Sequence, residues 1–326
     1  MPAQNTQFLN SIPVARYAVE RAPTRIQHLM LWSFQGVAGR ELLYAQVPQL
    51  VASGQVPPCD AVPDRSSVFS QATFGMTYLN TRVRVCHANQ DTFRTPITPE
   101  AAEYPLMIRQ LLYGFSERLD AAPSPANPLA LRNYIEPDRI VNLAGGALNF
   151  HCLGDAWHRV DANDGRPTMI MSATPALATY ELLCRMSGFE PPKVDFMWYD
   201  PVRRRMTPVK VTAFNGTPWL VNDRMEGKTN PAAGAQRIYF MVLGDDGSSG
   251  PTRGVTGIVP QELLHSMFVK RVVPAAYNIE AGIGDPIAAD DVFLGWPVGT
   301  AVGSPAAISL LQNFSIAGPC PTITPA

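Results

Sequence analysis

Three side chains in one predicted helix, Phe150 to Val160, carry reactive chemistry: His151, Cys152 and His158. A cysteine served by a histidine can act as a nucleophile, because the imidazole takes the thiol proton and leaves the reactive thiolate. Helix geometry works against that pairing. Neighbouring residues point about 100° apart, so His151 cannot serve Cys152 directly. Packing or surface roles are the reading these residues support, and a cytoplasmic hydrolase using Cys152 or a histidine is carried as an alternative.

The oxygen-bearing clusters lead no further. Asp161, Asn163 and Asp164 with Gly165 resemble the start of a calcium loop, but the bidentate carboxylate needed at the twelfth position would be Ser172, so this is read as a turn. Asp245-Asp246 and Asp290-Asp291 are adjacent carboxylates in turn-like contexts without a base nearby in sequence. Acid/base catalysis needs two groups held in unlike environments, which adjacency does not supply. Arg203-Arg204-Arg205 could touch a phosphate backbone, yet three charges alone bind weakly and in a salt-sensitive way, and the triplet is read as a solvated hairpin turn. Gly145-Gly146 is too little to make a phosphate site, and no GxGxxG, Walker loop, HExxH or GxSxG is present. Asn215-Gly-Thr217 and Asn313-Phe-Ser315 match the glycosylation pattern, which carries meaning only in a secreted chain. The chain is therefore expected to hold no catalytic residue, no cofactor and no metal, and not to be an enzyme.

Composition bounds the remaining classes. The 326 residues are 46% hydrophobic and 16% charged, enough apolar surface for a large core with fewer charges than an ordinary soluble domain. A surface this neutral suits burial against neighbouring subunits. Net charge is −1, so no global field draws the chain onto nucleic acid. Only four of the 26 basic residues are lysine. Arginine suits protein contacts, because it stays charged when desolvated and forms forked bonds, although a GC-rich genome gives the same skew. No apolar run reaches the ~20 residues of a membrane span, and the N-terminus has neither the basic nor the apolar region of a secretion signal. Cys59, Cys86, Cys152, Cys184 and Cys320 are scattered and odd in number, and are read as free thiols.

The elements that would position these residues are many and short, with 31 prolines and 24 glycines spread throughout. The first 25 residues read as an extended arm. His28–Phe34 and Arg40–Val47 read as two strands, followed by a proline-rich irregular stretch from Val51 to Ser67. From Phe74 the pattern alternates strictly, with Leu79, Thr81, Val83 and Val85 on one face and Asn80, Arg82 and Arg84 on the other, as in a half-solvated strand. The strongest helix runs from Thr98 to Asp120. Thr98 caps it, Pro99 opens it, and Ile108, Leu111, Leu112, Phe115 and Leu119 recur at helical spacing. Pro105 must fall in or near the first turn, or the helix kinks there.

Beyond residue 140 an α/β pattern follows. After the helix at Phe150 come a buried strand Met169–Met171, a helix capped by Thr174 and closed by Gly188, and strands Val194–Tyr199, Val209–Phe214 and Trp219–Val221. Asn215-Gly216 predicts a tight hairpin turn, because both residues tolerate positive φ. Ile238–Leu243 is another buried strand, and Met267–Val273, Val292–Trp296 and Ile308–Ile316 complete a mostly β remainder.

This order of arm, strand pair, long helix, α/β region and terminal β segment resembles the major capsid protein of tailed bacteriophages, of the Hong Kong 97 fold type. The block RPTMIMSATPALATYELLCRMSG (Arg166–Gly188) is similar to the family's axial pattern, a strand ending in Met-Ser that leads into a helix of Arg, Leu and Ala. FNGTPWLVNDRM (Phe214–Met225) and RIYFMVLGDDG (Arg237–Gly247) continue it. The resemblance implies an α+β fold with residues 1–27 as the N-terminal arm, 28–75 as the E-loop region and 76–135 as the peripheral domain with its spine helix. Residues 136–258 would form the axial domain, and 259–326 a returning β segment. It further implies self-assembly as hexamers and pentamers into an icosahedral head that encloses double-stranded DNA by non-specific contact, with a portal protein and a decoration protein as further partners. The expected location is the virion, or the host cytoplasm during assembly, without membrane. Some relatives carry a fused scaffold of about a hundred residues. With the arm beginning at Met1, a separate scaffolding protein is expected here. Lys–Asn cross-linking is not carried over, because no lysine lies in the E-loop region. An encapsulin-like compartment loaded with cargo protein is the alternative within the same fold.

Overall fold

The computed structural model describes residues 26–39, 41–46, 70–86, 99–161, 166–200, 205–244, 254–264, 268–274 and 289–316. The predicted arm, the irregular stretch Val51–Ser67 and the helix cap Thr98 lie outside these residues. So do Asn163, Asp164, Gly165, Arg203, Arg204, Asp245 and Asp246.

Two sheets organise the chain. The first has six strands: β1 (Phe34–Val37), β2 (Glu41–Gln46), β3 (Ser70–Cys86), β10 (Val255–Pro260), β11 (Val269–Pro274) and β12 (Ala289–Val302). Their order is β1-β10-β12-β3-β2, with β11 also on β12. The second has seven strands: β4 (Ile140–Asn142), β5 (Met169–Ser172), β6 (Lys193–Asp200), β7 (Arg205–Phe214), β8 (Thr217–Val221), β9 (Arg237–Met241) and β13 (Ile308–Gln312), in the order β4-β13-β9-β5-β8-β7-β6. The helices are α1 (Pro99–Leu119), α2 (Phe150–His158) and α3 (Thr174–Met186).

The long helix α1 follows its apolar stripe. Ile108, Leu111, Leu112, Phe115 and Leu119 are all buried, while Gln110, Glu117 and Arg118 face solvent. Each fully buried side chain of this size contributes about 2 kcal/mol of apolar burial. Pro105 stands inside the helix, past its first turn, so Ala101 receives no intrahelical bond from position 105. The helix packs on β3 and β12, and its Phe115 joins an aromatic cluster with Trp32 (5.9 Å), Phe34 of β1 (5.9 Å) and Trp296 of β12 (5.2 Å). Gly257 on β10 admits this packing, because a Cβ there would stand 2.4 Å from the Phe34 ring.

The second sheet is a middle layer. Ser309 on β13 donates to the Ala156 carbonyl of α2 at 2.6 Å, and its register partner Phe240 shares that face. The next residue, Tyr239, points the opposite way and donates to Asp120 at the end of α1. Its central strands β5 and β9 are buried along their whole length, which is why they read as apolar runs without alternation.

Several expectations are corrected. His28–Phe34 is not a strand. Residues Gln27–Met30 form a 3₁₀ turn and β1 begins only at Phe34. Ile26, Leu29 and Trp32 are buried at a spacing of three, the period of the 3₁₀ helix, which a run of apolar residues alone does not distinguish from a strand. Thr174 does not cap α3. Ala173 is the N-cap, and Asp223 accepts from both the Thr174 N–H (3.0 Å) and its hydroxyl (2.6 Å). Asp290-Asp291 is no turn but part of β12, where Asp291 is buried and bonded to Arg82. β12 runs fourteen residues, well beyond the predicted Val292–Trp296. β13 stops at Gln312, because Asn313 turns the chain with φ of 58°.

Other features form as the sequence reads. Asn215 (φ 48°) and Gly216 (φ 79°) make the β7–β8 hairpin turn. Gly188 (φ 85°) ends α3, with Gly188 N–H bonding the Arg185 carbonyl and Phe189 N–H the Cys184 carbonyl.

Candidate functional site

The reactive candidates remain apart. His151 and His158 are exposed on α2, and Cys152 is half-buried, its backbone N–H donating to the Asn149 side chain at 2.9 Å. His158 packs edge-on against Trp157 with ring centroids 5.0 Å apart. Among the described residues no hydrogen bond joins these three side chains. Among the same residues, no group of three or more His, Cys, Asp or Glu side chains could hold a metal ion. No helix among them is long and apolar enough to cross a membrane.

What the fold does build is a polar joint between α1 and the second sheet. Asp120 is buried where the helix ends. It accepts from the Arg237 guanidinium at 3.0 Å, the Tyr239 hydroxyl at 2.7 Å and the Glu226 N–H at 3.3 Å. Burial pushes the Asp120 carboxyl above the usual carboxylate range, while the charge of Arg237 pulls it back. The Tyr239 hydroxyl rises well above its ordinary value, first through burial and then through the adjacent carboxylate. Arg237 also bonds Glu226 at 3.3 Å. One helical turn earlier, buried Asn222 donates to the Ser116 carbonyl at 2.9 Å, and the Arg224 guanidinium lies 3.7 Å over the Tyr113 ring. Each bond has a direction and a length, so together they specify one angle between helix and sheet, which apolar packing alone leaves looser.

The segment before β1 locks into the same joint. Ile26 bridges to Asn222, and the Gln27 side chain accepts from the Val221 N–H at 3.2 Å. His28 is fully buried edge-on to Trp32, 6.2 Å between centroids. Burial lowers its pKa to about 3, opposed by the nearby Val221 backbone, although neither ring nitrogen reaches hydrogen-bond geometry with a partner. A sequence signal for the joint exists: Ser116 and Asp120 follow Leu112 at intervals of four, so two polar residues continue a buried stripe.

Two features face outward. The first is a two-stranded ribbon. β3 pairs with β12 only from Met76 to Cys86, and its earlier part, Ser70–Gly75, pairs with β2 over Glu41–Gln46. Phe74 ties its inner end to the core, buried with its ring 5.5 Å from that of Tyr134, and a two-stranded pair gains stability where further surface covers it. The second is a set of exposed apolar side chains around the second sheet, led by Met186 at 78% exposure, with Leu182, Phe189 and Val209. Scattered single apolar residues are ordinary on a surface, but Ala178, Leu182 and Met186 recur at intervals of four along one exposed face of α3.

Comparison with solved structures places this architecture. The chain superposes on the holo-SrpI encapsulin complex of Synechococcus elongatus with a TM-score of 0.63 at 16% identity, covering 91% of this chain and 90% of that one. It superposes on the capsid of a native GTA particle, computed with C5 symmetry, with a TM-score of 0.61 at 13% identity and coverage of 92% and 91%. A protein of Mycobacterium phage Bobi gives 0.52 at 12% identity, with 89% and 90% covered. No family model and no curated protein matches the chain. The chain thus has the α+β, Hong Kong 97-type fold of capsid and encapsulin shells.

Proposed function

We propose that this chain is the major shell protein of a tailed bacteriophage, assembling as hexamers and pentamers into an icosahedral head that encloses double-stranded DNA. The observation that carries the reading is the fold, matched along about nine-tenths of both chains to proteins of assembled shells. The ribbon of β2 and β3 adds a physical reason. Its inner end packs on the chain's own core through Phe74 and Tyr134, and a neighbouring copy would add surface to its outer part. Shell contacts of this kind bury on the order of 2,000 Å² per pair, so ribbon and arm gain their stability on assembly. The sheet organisation supports dividing the chain into a peripheral unit around α1 and the first sheet and an axial unit around the second.

A net charge of −1 suits a lining that encloses DNA without holding it tightly. A separate scaffolding protein, a portal and a decoration protein are the further partners this reading implies, with no catalytic step and no cofactor. The similarity to an encapsulin complex favours a second reading, a compartment filled with cargo protein. Negative-stain microscopy of the expressed chain, with and without its gene neighbours, tests both. Closed shells are expected. Shells formed with terminase, portal and scaffold neighbours and containing nucleic acid support the phage reading, whereas protein-filled shells support the compartment. A stable monomer that never closes refutes both.

A further inference from the structure

Two cations converge on one aromatic ring at the flank of α1. Arg109 and Tyr113 stand four residues apart and so share a face of the helix, and the Arg109 guanidinium lies 6.0 Å from the centre of the Tyr113 ring. Arg224 reaches the same ring from the turn after β8, at 3.7 Å. Asn222 fixes that turn: its amide donates to the Ser116 carbonyl at 2.9 Å, and its side-chain oxygen accepts the Arg224 N–H at 3.1 Å. Stacking on a ring leaves the in-plane N–H fork of a guanidinium unused. Neither guanidinium has a hydrogen bond or ion pair among the described residues, and the Arg224 Nε is buried without a partner.

The nearby carboxylates do not neutralise them. Asp223 is bonded to the Thr174 hydroxyl at 2.6 Å and to Lys228 at 3.4 Å, and Glu117, one turn beyond Tyr113, forms no ion pair with either arginine among the described residues. Two like charges at one ring repel each other, and an anion set between them removes that repulsion. Arginine forks match phosphate oxygens, and a duplex strand offers phosphates at even spacing whatever its bases. We propose that Arg109 and Arg224, held on the Tyr113 ring, are a contact site for the phosphodiester backbone of double-stranded DNA. This rests on the phage reading of the shell and names residues through which one subunit touches the enclosed duplex. Two such contacts hold weakly and release as salt rises, in keeping with a chain of net charge −1.

The test titrates full-length subunits onto a short fluorescein-labelled duplex, read by fluorescence anisotropy at about 50 mM and about 200 mM salt, with microscopy of the same preparations. Each phosphate contact adds about 0.9 to the logarithmic salt slope, so the affinity ratio between the two conditions should shrink about 3.5-fold in Arg109→Gln and by the same factor in Arg224→Gln, for duplexes of unrelated sequence alike. Arg109→Lys keeps the charge and should keep the wild-type ratio. A wild-type ratio in either glutamine variant, or a lysine variant that behaves like the glutamine one, overturns the inference. So does binding to polyglutamate that is lost with the arginines while the duplex is still held, which makes the partner an acidic protein. Full displacement of the duplex by inorganic phosphate at matched ionic strength overturns it too, because the site then belongs to free phosphate. Arg109→Gln decides alone if Arg224→Gln fails to fold. Wild type that forms no closed particles refutes the shell reading instead, whatever the titrations give.

Discussion

Lowering the pH should loosen this fold through His28, and the magnitude follows from its burial. The ring is fully enclosed between the segment before β1 and the second sheet, and its pKa is about 3 against an ordinary 6.5. Above pH 6.5 the imidazole is neutral in both folded and unfolded chains, and its share of stability is complete. Below that value the unfolded chain takes up a proton that the folded chain refuses, so stability falls as the pH drops from 6.5 toward about 3. From pH 7 to pH 5 the loss is about 2 kcal/mol, at ~1.4 kcal/mol per pKa unit.

Urea unfolding of dissociated subunits at pH 7 and pH 5, followed by tryptophan fluorescence, measures this loss. His28→Leu provides the reference, because leucine fills a similar volume without a proton to bind, and neither ring nitrogen has a hydrogen bond to forfeit. Asp120 contributes with the opposite sign. Its raised pKa means stability is lost as pH climbs from 3.8 through the raised value, but it is present in both proteins and cancels in the difference. Wild type should lose about 2 kcal/mol more than His28→Leu over this interval. Equal losses would show that His28 is reached by water or by a partner, and would refute the reasoning.

The joint and the long helix α1 carry further expectations. Asp120→Asn removes the buried carboxylate of Arg237 and leaves it only the exposed Glu226, which should cost about 3 kcal/mol in chemical denaturation, whereas Asp120→Leu combined with Arg237→Met should recover much of it. Leu111→Asp places an unpaired charge in a buried position of α1 and should abolish soluble expression, read as the fraction recovered in the supernatant. Deleting residues 1–25 should leave a folded subunit that forms no closed shells, seen as unchanged circular dichroism with particles lost. Cys152→Ala with His158→Ala should leave particle yield unchanged in sedimentation, because neither side chain supports the core.

Where local periodicity and local turns govern, the chain was readable. The apolar stripe of α1, the alternation around Leu79 and Asn80, the Asn215-Gly216 turn and the Gly188 helix stop are each decided by residues within a few positions of one another. The first turn of α3 shows where this ends. Thr174 has the side chain of a cap, but Asp223, forty-nine residues away, takes the bonds instead. Asp291 likewise follows a helpful turn signal, yet its partner Arg82 lies 209 residues off on β3, so no window of sequence could reveal that it belongs to a strand. The 3₁₀ turn at Gln27–Met30 is hidden in the sequence because an apolar run fits strand and turn equally until the surface it packs on is known.

The residues alone established a large chain of mixed helices and strands with one long amphipathic helix, a low charge density and no recognised catalytic motif, because periodicity and composition are properties of the chain by itself. They also carried the resemblance to capsid proteins, through the order of elements and the block Arg166–Gly188. Only the tertiary structure decided how α1 meets the second sheet and which apolar residues remain uncovered. Both outcomes depend on groups distant in sequence: Asp120 is a buried anchor because Arg237 and Tyr239 arrive beside it, and Met186 stays exposed at the end of α3.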